Sequence, residues 1–434
     1  MNILMMTNTF SPHVGGVARS IQSFADGFRK KGHRVLVVAP EYEQMPEIEK
    51  NVIRIPAIKN FNRSDFSVMI PIPGFLTSAI ENFKPDIVHT HHPFLIGNTA
   101  LRVAHIHKIP LVFTHHTMYE QYTHYSPIDS ISLKRFVIDL STRYANLCDY
   151  VFAPSESIAS ILINRKVETP IDVIPTGVHI EQFNKGSGAG FRMAMNIPED
   201  AFVVGHVGRL ALEKNLQFLS EAIAAFLKTE GRAHFLVVGG GPYRKTMQDL
   251  FFRKGIPHLA KRLHFTGSID FPLLASAYKA MDVFAFASKS ETQGMVLTEA
   301  MAAGIPVVAL DAPGVRDIVV DQCNGMLLQS ENAEIFASIL AGVSRCSKDK
   351  MQEYRQDAEK TARMFSMEHS MEKTLNRYQI LLGNELSYRH DEFNTWIAEL
   401  RLVKTDWDVL KGMFSAAGTA FFTDYPKIEK LDDL

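Results

Sequence analysis

Residues 2–40, NILMMTNTFSPHVGGVARSIQSFADGFRKKGHRVLVVAP, decide the fold. The stretch opens on an apolar run, NILMMT, passes a Gly-Gly turn into a helical pattern from Val17 to Arg29, and returns to a second apolar run in HRVLVVAP. Apolar runs this short read as buried strands, and a helix between two of them is a crossover that brings the strands together in parallel. The alternation continues through DIVHT, PLVFTHHT, YVFAPS and IDVIPT, so the first half reads as one α/β layer stack.

After IDVIPTGVHIEQF comes the small, flexible stretch NKGSGAG, and the alternation then restarts in FVVGHVGRL, HFLVVGGGP, LHFTGSI, VFAFAS and PVVALD. The expected architecture is two doubly wound domains in tandem, facing each other across a cleft, with ligands outside the carboxyl ends of the strands. From about Ala333 the pattern is helical to the C-terminus. There Phe393, Trp396, Ile397, Leu400, Val403, Leu410 and Phe414 keep one face apolar. That stripe is expected to pack on the body or on a second subunit rather than on a membrane, because its polar face is not rich in Lys and Arg.

Composition narrows the class. A chain of 434 residues exceeds what one core holds, which fits two domains. Lys plus Arg number 46 against 47 Asp plus Glu, so no net field draws the chain to nucleic acid. Cys148, Cys323 and Cys346 include no CxxC pair, which fits reduced thiols in a cytosolic compartment better than a disulfide framework. No run approaches the roughly 18 to 20 apolar residues that span a bilayer. The N-terminus reads as a buried strand, not an export signal.

Several short stretches can carry chemistry. Gly15 and Gly16 open the first helix, where backbone amides can approach an anion. VVGGGPYRK fails the dinucleotide fingerprint GxGxxG because Arg244 stands where a glycine is required, so Gly239–Gly241 read as a turn under the cleft floor. GRLALEKN sets Arg209 and Lys214 beyond a strand end, able to clamp a diphosphate unless Glu213 pairs with either. In SKSETQGMVLTEAMAAG, Glu291 and Glu299 flank Gly294. Eight helical residues would separate them by about 12 Å, enough to hold opposite ends of one nucleotide-sugar. The amides of Met295, Val296 and Leu297, opening a helix expected over Leu297–Ala303, would face the diphosphate. Glu299 could equally cap or bridge a helix terminus. Of the adjacent His115 and His116 at the end of PLVFTHHT, strand alternation lets one face the cleft, to stabilise charge or assist proton transfer. His89, His91 and His92 match no zinc spacing and read as core or supporting histidines.

In this order, GGVARS, THHT, IPTGV, GRLALEKN, VVGGGP and ETQGMVLTEAMAAG resemble the retaining glycosyltransferases of family 4, also called group 1, over about residues 1–383. The last stretch fits that family's Glu-x7-Glu signature. The resemblance implies an α/β fold of two facing Rossmann-like domains in the GT-B arrangement. Residues 1–180 would form the acceptor-side domain and 181–365 the nucleotide-sugar domain. Residues 366–383 would cross back to the first domain, with a helix expected over Ser366–Leu382, and 384–434 would be a helical extension of unassigned role. It further implies that Glu291 contacts the donor hexose and Glu299 the ribose. Arg209 and Lys214 would hold the diphosphate beside Gly294 and the amides that follow, and Gly16 would approach from the opposite domain. His116 would be the active-site histidine and, with Glu291, catalytic, beside His115 where the family more often has Tyr or Phe. Transfer with retention, no divalent metal and no cofactor beyond the nucleotide-sugar also follow from the resemblance.

ETQG and HTMYEQYTHY look like the branch that glucosylates diacylglycerol. That implies UDP-glucose as donor, a lipid acceptor, and acceptor-side contacts from His115, Tyr119 and Glu120. Arg19, Arg29, Lys30, Lys31 and Arg34, on or beside the first helix, read as a contact for anionic headgroups or as a solvated helix end. The enzyme would then be cytoplasmic and peripheral on the inner membrane face. Two alternatives stand beside this: the same family using another donor such as GDP-mannose on a non-lipid or glycan acceptor, and a nucleotide-sugar epimerase or non-catalytic binder, which the complete signature disfavours. Oligomerisation through the C-terminal extension is left open. Glu291→Ala and Lys214→Ala are each expected to lower turnover severely and leave folding intact.

Overall fold

A computed structural model describes residues 1–383 other than 14, 44, 47–48, 59–67, 70–75, 126–129, 254 and 256–258. The expected C-terminal extension and its stripe from Phe393 to Phe414 lie outside the described residues.

Among the described residues, the first sheet has seven parallel strands. Their spatial order is Val52–Ile55, Arg34–Pro40, Asn2–Met6, Ile87–Thr90, Leu111–Thr114, Tyr150–Ala153 and Ile171–Val173. The second sheet has six, in the order Leu263–Gly267, Ala233–Val238, Phe202–Val207, Val283–Phe286, Val307–Leu310 and Gly325–Leu328. Each order reverses beside its founding strand, which is where doubly wound sheets open a crevice. Within these two sheets, two strands were not anticipated, Val52–Ile55 and Gly325–Leu328. Both are edge strands with half-buried residues, so their apolar signal is weak.

The second sheet shows why both faces must be covered. Val203, Val207, Leu236, Phe284 and Phe286 pack into one cluster, while the alternating Val204, Phe235, Val237, Val283 and Ala285 pack into another on the opposite face. The first helix, Gly16–Lys30, buries Ile21, Phe24, Ala25 and Phe28, a spacing that keeps one stripe inward. Phe28 is fully buried, and truncating it to alanine would cost about 3–5 kcal/mol.

A helix over Met367–Gly383 runs back onto the first sheet's layer. Its Met371 packs where a Cβ on Gly27 would stand, Arg377 Nε donates to Asp172 at 2.6 Å, and the Tyr378 hydroxyl lies 2.5 Å from His89 Nδ1. Both sheets and this helix belong to one compact unit, Met1–Leu386. No described helix is long and apolar enough to cross a membrane.

Within the basic cluster, Lys30, Lys31 and Arg34 are exposed, and several of the charges have neighbours. Arg19 reaches Glu299, Arg29 bonds Asp26 and the carbonyls of Val35 and Asn51, Lys31 lies 3.9 Å from Glu372, and Arg34 covers the Phe83 ring.

Candidate active site

The second sheet's switch point lies between Phe202–Val207 and Val283–Phe286, so the segments leaving those two strands are neighbours. One carries Arg209 and Lys214; the other carries Ser288 to Gly294. Lys214 Nζ donates to Glu291 Oε1 at 2.5 Å, with 20% and 14% of the two side chains exposed. Burial alone would depress the Lys214 ammonium, but the Glu291 carboxylate overrides it and pushes its pKa up to about 12. Burial would likewise raise Glu291, and Lys214 brings it below the usual carboxylate value. The pair is therefore fully ionised at neutral pH. Lys214 bonds Glu291 in preference to the adjacent Glu213.

Gly294 caps the next helix, Met295–Ala302, from the left-handed region at φ +77°. A Cβ there would meet Leu297 Cδ1 at 2.9 Å, so only glycine makes this turn cheaply. The helix begins two residues earlier than expected, and the segment from Glu291 to Gly294 is not helical. The 12 Å helical separation of the two glutamates therefore does not apply. The Leu297 amide is taken by the Gly294 carbonyl at 2.8 Å, which removes it from the expected anion contacts. Among the described residues, the amides of Met295 and Val296 keep no hydrogen-bond acceptor and remain the open donors of the helix N-terminus.

Glu299 is not at a helix terminus. It lies inside the helix, buried, and accepts the Tyr278 hydroxyl at 2.7 Å and Arg19 Nη1 at 3.2 Å. Burial raises its pKa, against the pull of Arg19 and Tyr278. Arg19 comes from the first helix, whose Gly16 also faces this helix, since a Cβ on Gly16 would meet Met295 Sδ at 3.7 Å. Beneath the Arg209 loop, Gly239 has φ +129°, and a Cβ there would lie 2.0 Å from the Gly208 carbonyl oxygen. This confirms the triple-glycine stretch as a tight turn under the floor.

On the first sheet, His115 is fully buried against Phe113 and Tyr119, and its pKa is pushed down to about 4 by burial and by Arg165. His116 is half-buried, and its ring nitrogen Nε2 lies 2.9 Å from His91 Nδ1. The other histidines of the trio are also engaged, His89 by Thr114 and Tyr378 and His92 by Thr7 and Asn8. They act as core and supporting groups.

Two expected acceptor-side residues are engaged elsewhere. Glu120 accepts from Arg165 Nη2 at 2.6 Å with a tenth of its side chain exposed, and Tyr119 packs on Phe94 and His115. The tight helical turn over Tyr119–Tyr125 instead presents Tyr122 to the ionised pair. Burial raises its hydroxyl pKa, with Lys214, Glu291 and Ser290 close enough to act on it. Tyr122 lies in the stretch that the sequence singled out but was not itself named there.

Sequence reasoning also missed the residues that join the two sheets. Thr292 Oγ1 donates to the His116 carbonyl at 2.7 Å, and Ser155 Oγ donates to the Thr292 carbonyl at 2.7 Å. Gln293, almost fully buried, accepts from the Thr176 amide at 2.7 Å and donates to the Thr176 carbonyl at 2.6 Å. The two residues after Glu291 thus fix the first sheet's His116 against the second sheet's ionised pair.

The profile of Glycosyltransferase Family 4 matches residues 14–182, and that of Glycosyl transferases group 1 matches residues 191–364. The alpha-monoglucosyldiacylglycerol synthase of Streptococcus pneumoniae is 31% identical over 341 residues, 76% of each chain. The GDP-mannose-dependent alpha-mannosyltransferase of Corynebacterium glutamicum is 26% identical over 339 residues, again 76% of each chain. Among solved structures, Anabaena Alr3699/HepE in complex with UDP superposes with a TM-score of 0.68 at 20% identity, covering 87% of this chain and 100% of that one. Two parallel sheets, the stretch from Glu291 to Glu299 and these matches agree: the chain is a GT-B glycosyltransferase and belongs to glycosyltransferase family 4, group 1.

Proposed function

We propose that the enzyme transfers glucose from UDP-glucose to a diacylglycerol-type lipid at the cytoplasmic membrane face, with retention at the anomeric carbon and without a divalent metal. The observation that carries this reading is the buried Lys214–Glu291 pair beside the open amides of Met295 and Val296. An incoming diphosphate competes for Lys214, and the helix N-terminus and Arg209 share its charge. Glu291, released from Lys214, then accepts hydrogen bonds from the hexose hydroxyls. Glu299, already organised by Tyr278, accepts from the ribose in place of Arg19.

In the chemical step the bond from the anomeric carbon to the phosphate oxygen breaks, and the acceptor oxygen bonds to the same face. The acceptor's proton passes to the departing phosphate. The protein's contribution is fixed positive charge at the leaving group, which needs no reorganisation as the bond breaks. Contacts between the sheets through Thr292 and Gln293 hold the two halves together.

Glucose and a lipid acceptor are favoured over mannose because the synthase relative is 31% identical and the mannosyltransferase 26% over similar lengths. Purified enzyme given diacylglycerol in anionic phospholipid vesicles and UDP-glucose, in the presence of EDTA, should release UDP and form glucosyl lipid. The same mixture with GDP-mannose should be silent. Product from GDP-mannose alone would transfer the assignment to the mannosyl reading.

A further inference from the structure

The His91–His116 contact has only one arrangement that leaves no buried donor without a partner. His91 follows the strand Ile87–Thr90, is 1% exposed, and stacks on His116 with ring centroids 5.2 Å apart. The bond between His91 Nδ1 and His116 Nε2, at 2.9 Å, holds one proton, carried by one ring or the other. The second nitrogen of His91, Nε2, is buried with no partner. If His91 carried its proton on Nε2, that N–H would be an orphaned buried donor, at a cost of about 1–3 kcal/mol that the other tautomer avoids. With the proton on Nδ1, only a lone pair goes unmatched. Burial holds both imidazoles neutral, their pKa values well below the usual histidine range, so neither ring carries a second proton.

We infer that His91 is a positioning residue: its Nδ1–H donates to His116 Nε2 and fixes His116 as the Nδ1–H tautomer. His116 then has a hydrogen-bond donor, and no lone pair, left for the substrate. It can donate to a phosphate or hydroxyl oxygen, and it cannot act as a general base from the resting state. The Thr292 bond to the His116 carbonyl sets the backbone, while His91 sets the proton. The inference deepens the proposed function by giving His116 one of the two roles its position allowed, and it rests on that reading for its kinetic arm alone.

The test combines spectroscopy with kinetics. In the full chain labelled with 15N-histidine, long-range 1H–15N correlations of His116, assigned by their loss in His116→Gln, should show a proton on Nδ1. His91→Phe keeps a ring and removes the donor, and His116 should then shift toward the Nε2–H form that free imidazole side chains prefer in water. His91→Asn places an amide nitrogen near the lost Nδ1 and should retain the parent tautomer. With UDP-glucose and lipid vesicles, His91→Phe should lower kcat about tenfold with little change in donor KM, and His91→Asn should recover most of it. A parent His116 protonated on Nε2 overturns the inference whatever the activity. So does a folded His91→Phe that keeps the parent tautomer and kcat. Should His91→Phe not fold, the parent spectrum and His91→Asn still decide. Absence of any glucosyl transfer with the Nδ1–H tautomer intact would refute the proposed substrates and leave the His91 role standing.

Discussion

The two halves solve the same topological problem with opposite electrostatics. At the strand ends of the second sheet, charge is buried as an ionised pair, Lys214 with Glu291, and the buried Glu299 carboxyl is met by the partly exposed Arg19 reaching over from the first helix. At the strand ends of the first sheet, His89, His91, His92 and His115 are buried as neutral rings, joined to hydroxyls or to one another or packed on aromatic rings. On the proposed function, the difference matches what each half would meet. A donor diphosphate brings two or more negative charges, which only charged groups and helix amides can meet. An acceptor hydroxyl brings none, so oriented neutral imidazoles suffice, and their orientation is set by which nitrogen holds the proton.

The largest expected effect is at the ionised pair. Lys214→Ala and Glu291→Ala should each lower turnover about 10²–10³-fold, the scale of losing one preorganised stabiliser of developing charge. The structure revises the expectation that folding stays intact. Each alanine strands its partner's charge, which costs about 3 kcal/mol, the low end for a buried pair because both side chains keep some solvent contact. Thermal unfolding with steady-state kinetics checks this, and the double change Lys214→Met with Glu291→Gln should recover stability without activity. Normal stability in both single alanines would erase the contrast between the halves.

The neutral half should respond to acid instead. His89 and His92 are pushed down to about 3 and His115 to about 4, chiefly by burial, from an ordinary value of 6.5. The unfolded chain therefore binds protons at these sites below pH 6.5 while the folded chain does not. Stability is full above pH 6.5 and is lost as pH falls toward 4, each histidine adding up to about 1.4 kcal/mol per pH unit. Chemical denaturation at a series of pH values should show uptake of more than one proton on unfolding, and His89→Gln should reduce that uptake. A flat profile between pH 6.5 and 4.5 would contradict neutral burial.

A smaller effect is expected at the joint. Gln293→Ala leaves the Thr176 amide and carbonyl without their buried partner and should cost about 2 kcal/mol. Because Gln293 is next to Thr292, which bonds His116, kcat should fall several-fold without loss of donor binding in calorimetry. Equal losses in donor affinity and kcat would show that the joint belongs to the donor half and not between the two.

Both sheets were legible because their central strands are apolar on both faces, and the second sheet's side of the candidate site was legible because one contiguous stretch, Glu291 to Glu299, carries most of it. Edge strands such as Val52–Ile55 escaped, since half-burial blurs the pattern. The first sheet's side was harder for two physical reasons. Which of Tyr119, Glu120 and Tyr122 meets the pair depends on the phase of a short helical turn, and that phase is set by packing against Phe94 and Arg165 rather than by local spacing. The partners His91 with His116, Thr292 with His116 and Gln293 with Thr176 are brought together only by the folded sheets. The partners of Arg19 and Arg29 were not legible, because sequence shows their charge and not what lies beside it.

The most direct test of the central claim is a calorimetric titration of UDP-glucose into the parent and into Lys214→Met, both with EDTA present. Saturable binding to the parent, abolished or weakened at least tenfold in the variant, is the predicted result. Binding that appears only when a divalent ion is restored, or that is equally tight without the Lys214 ammonium, would contradict it.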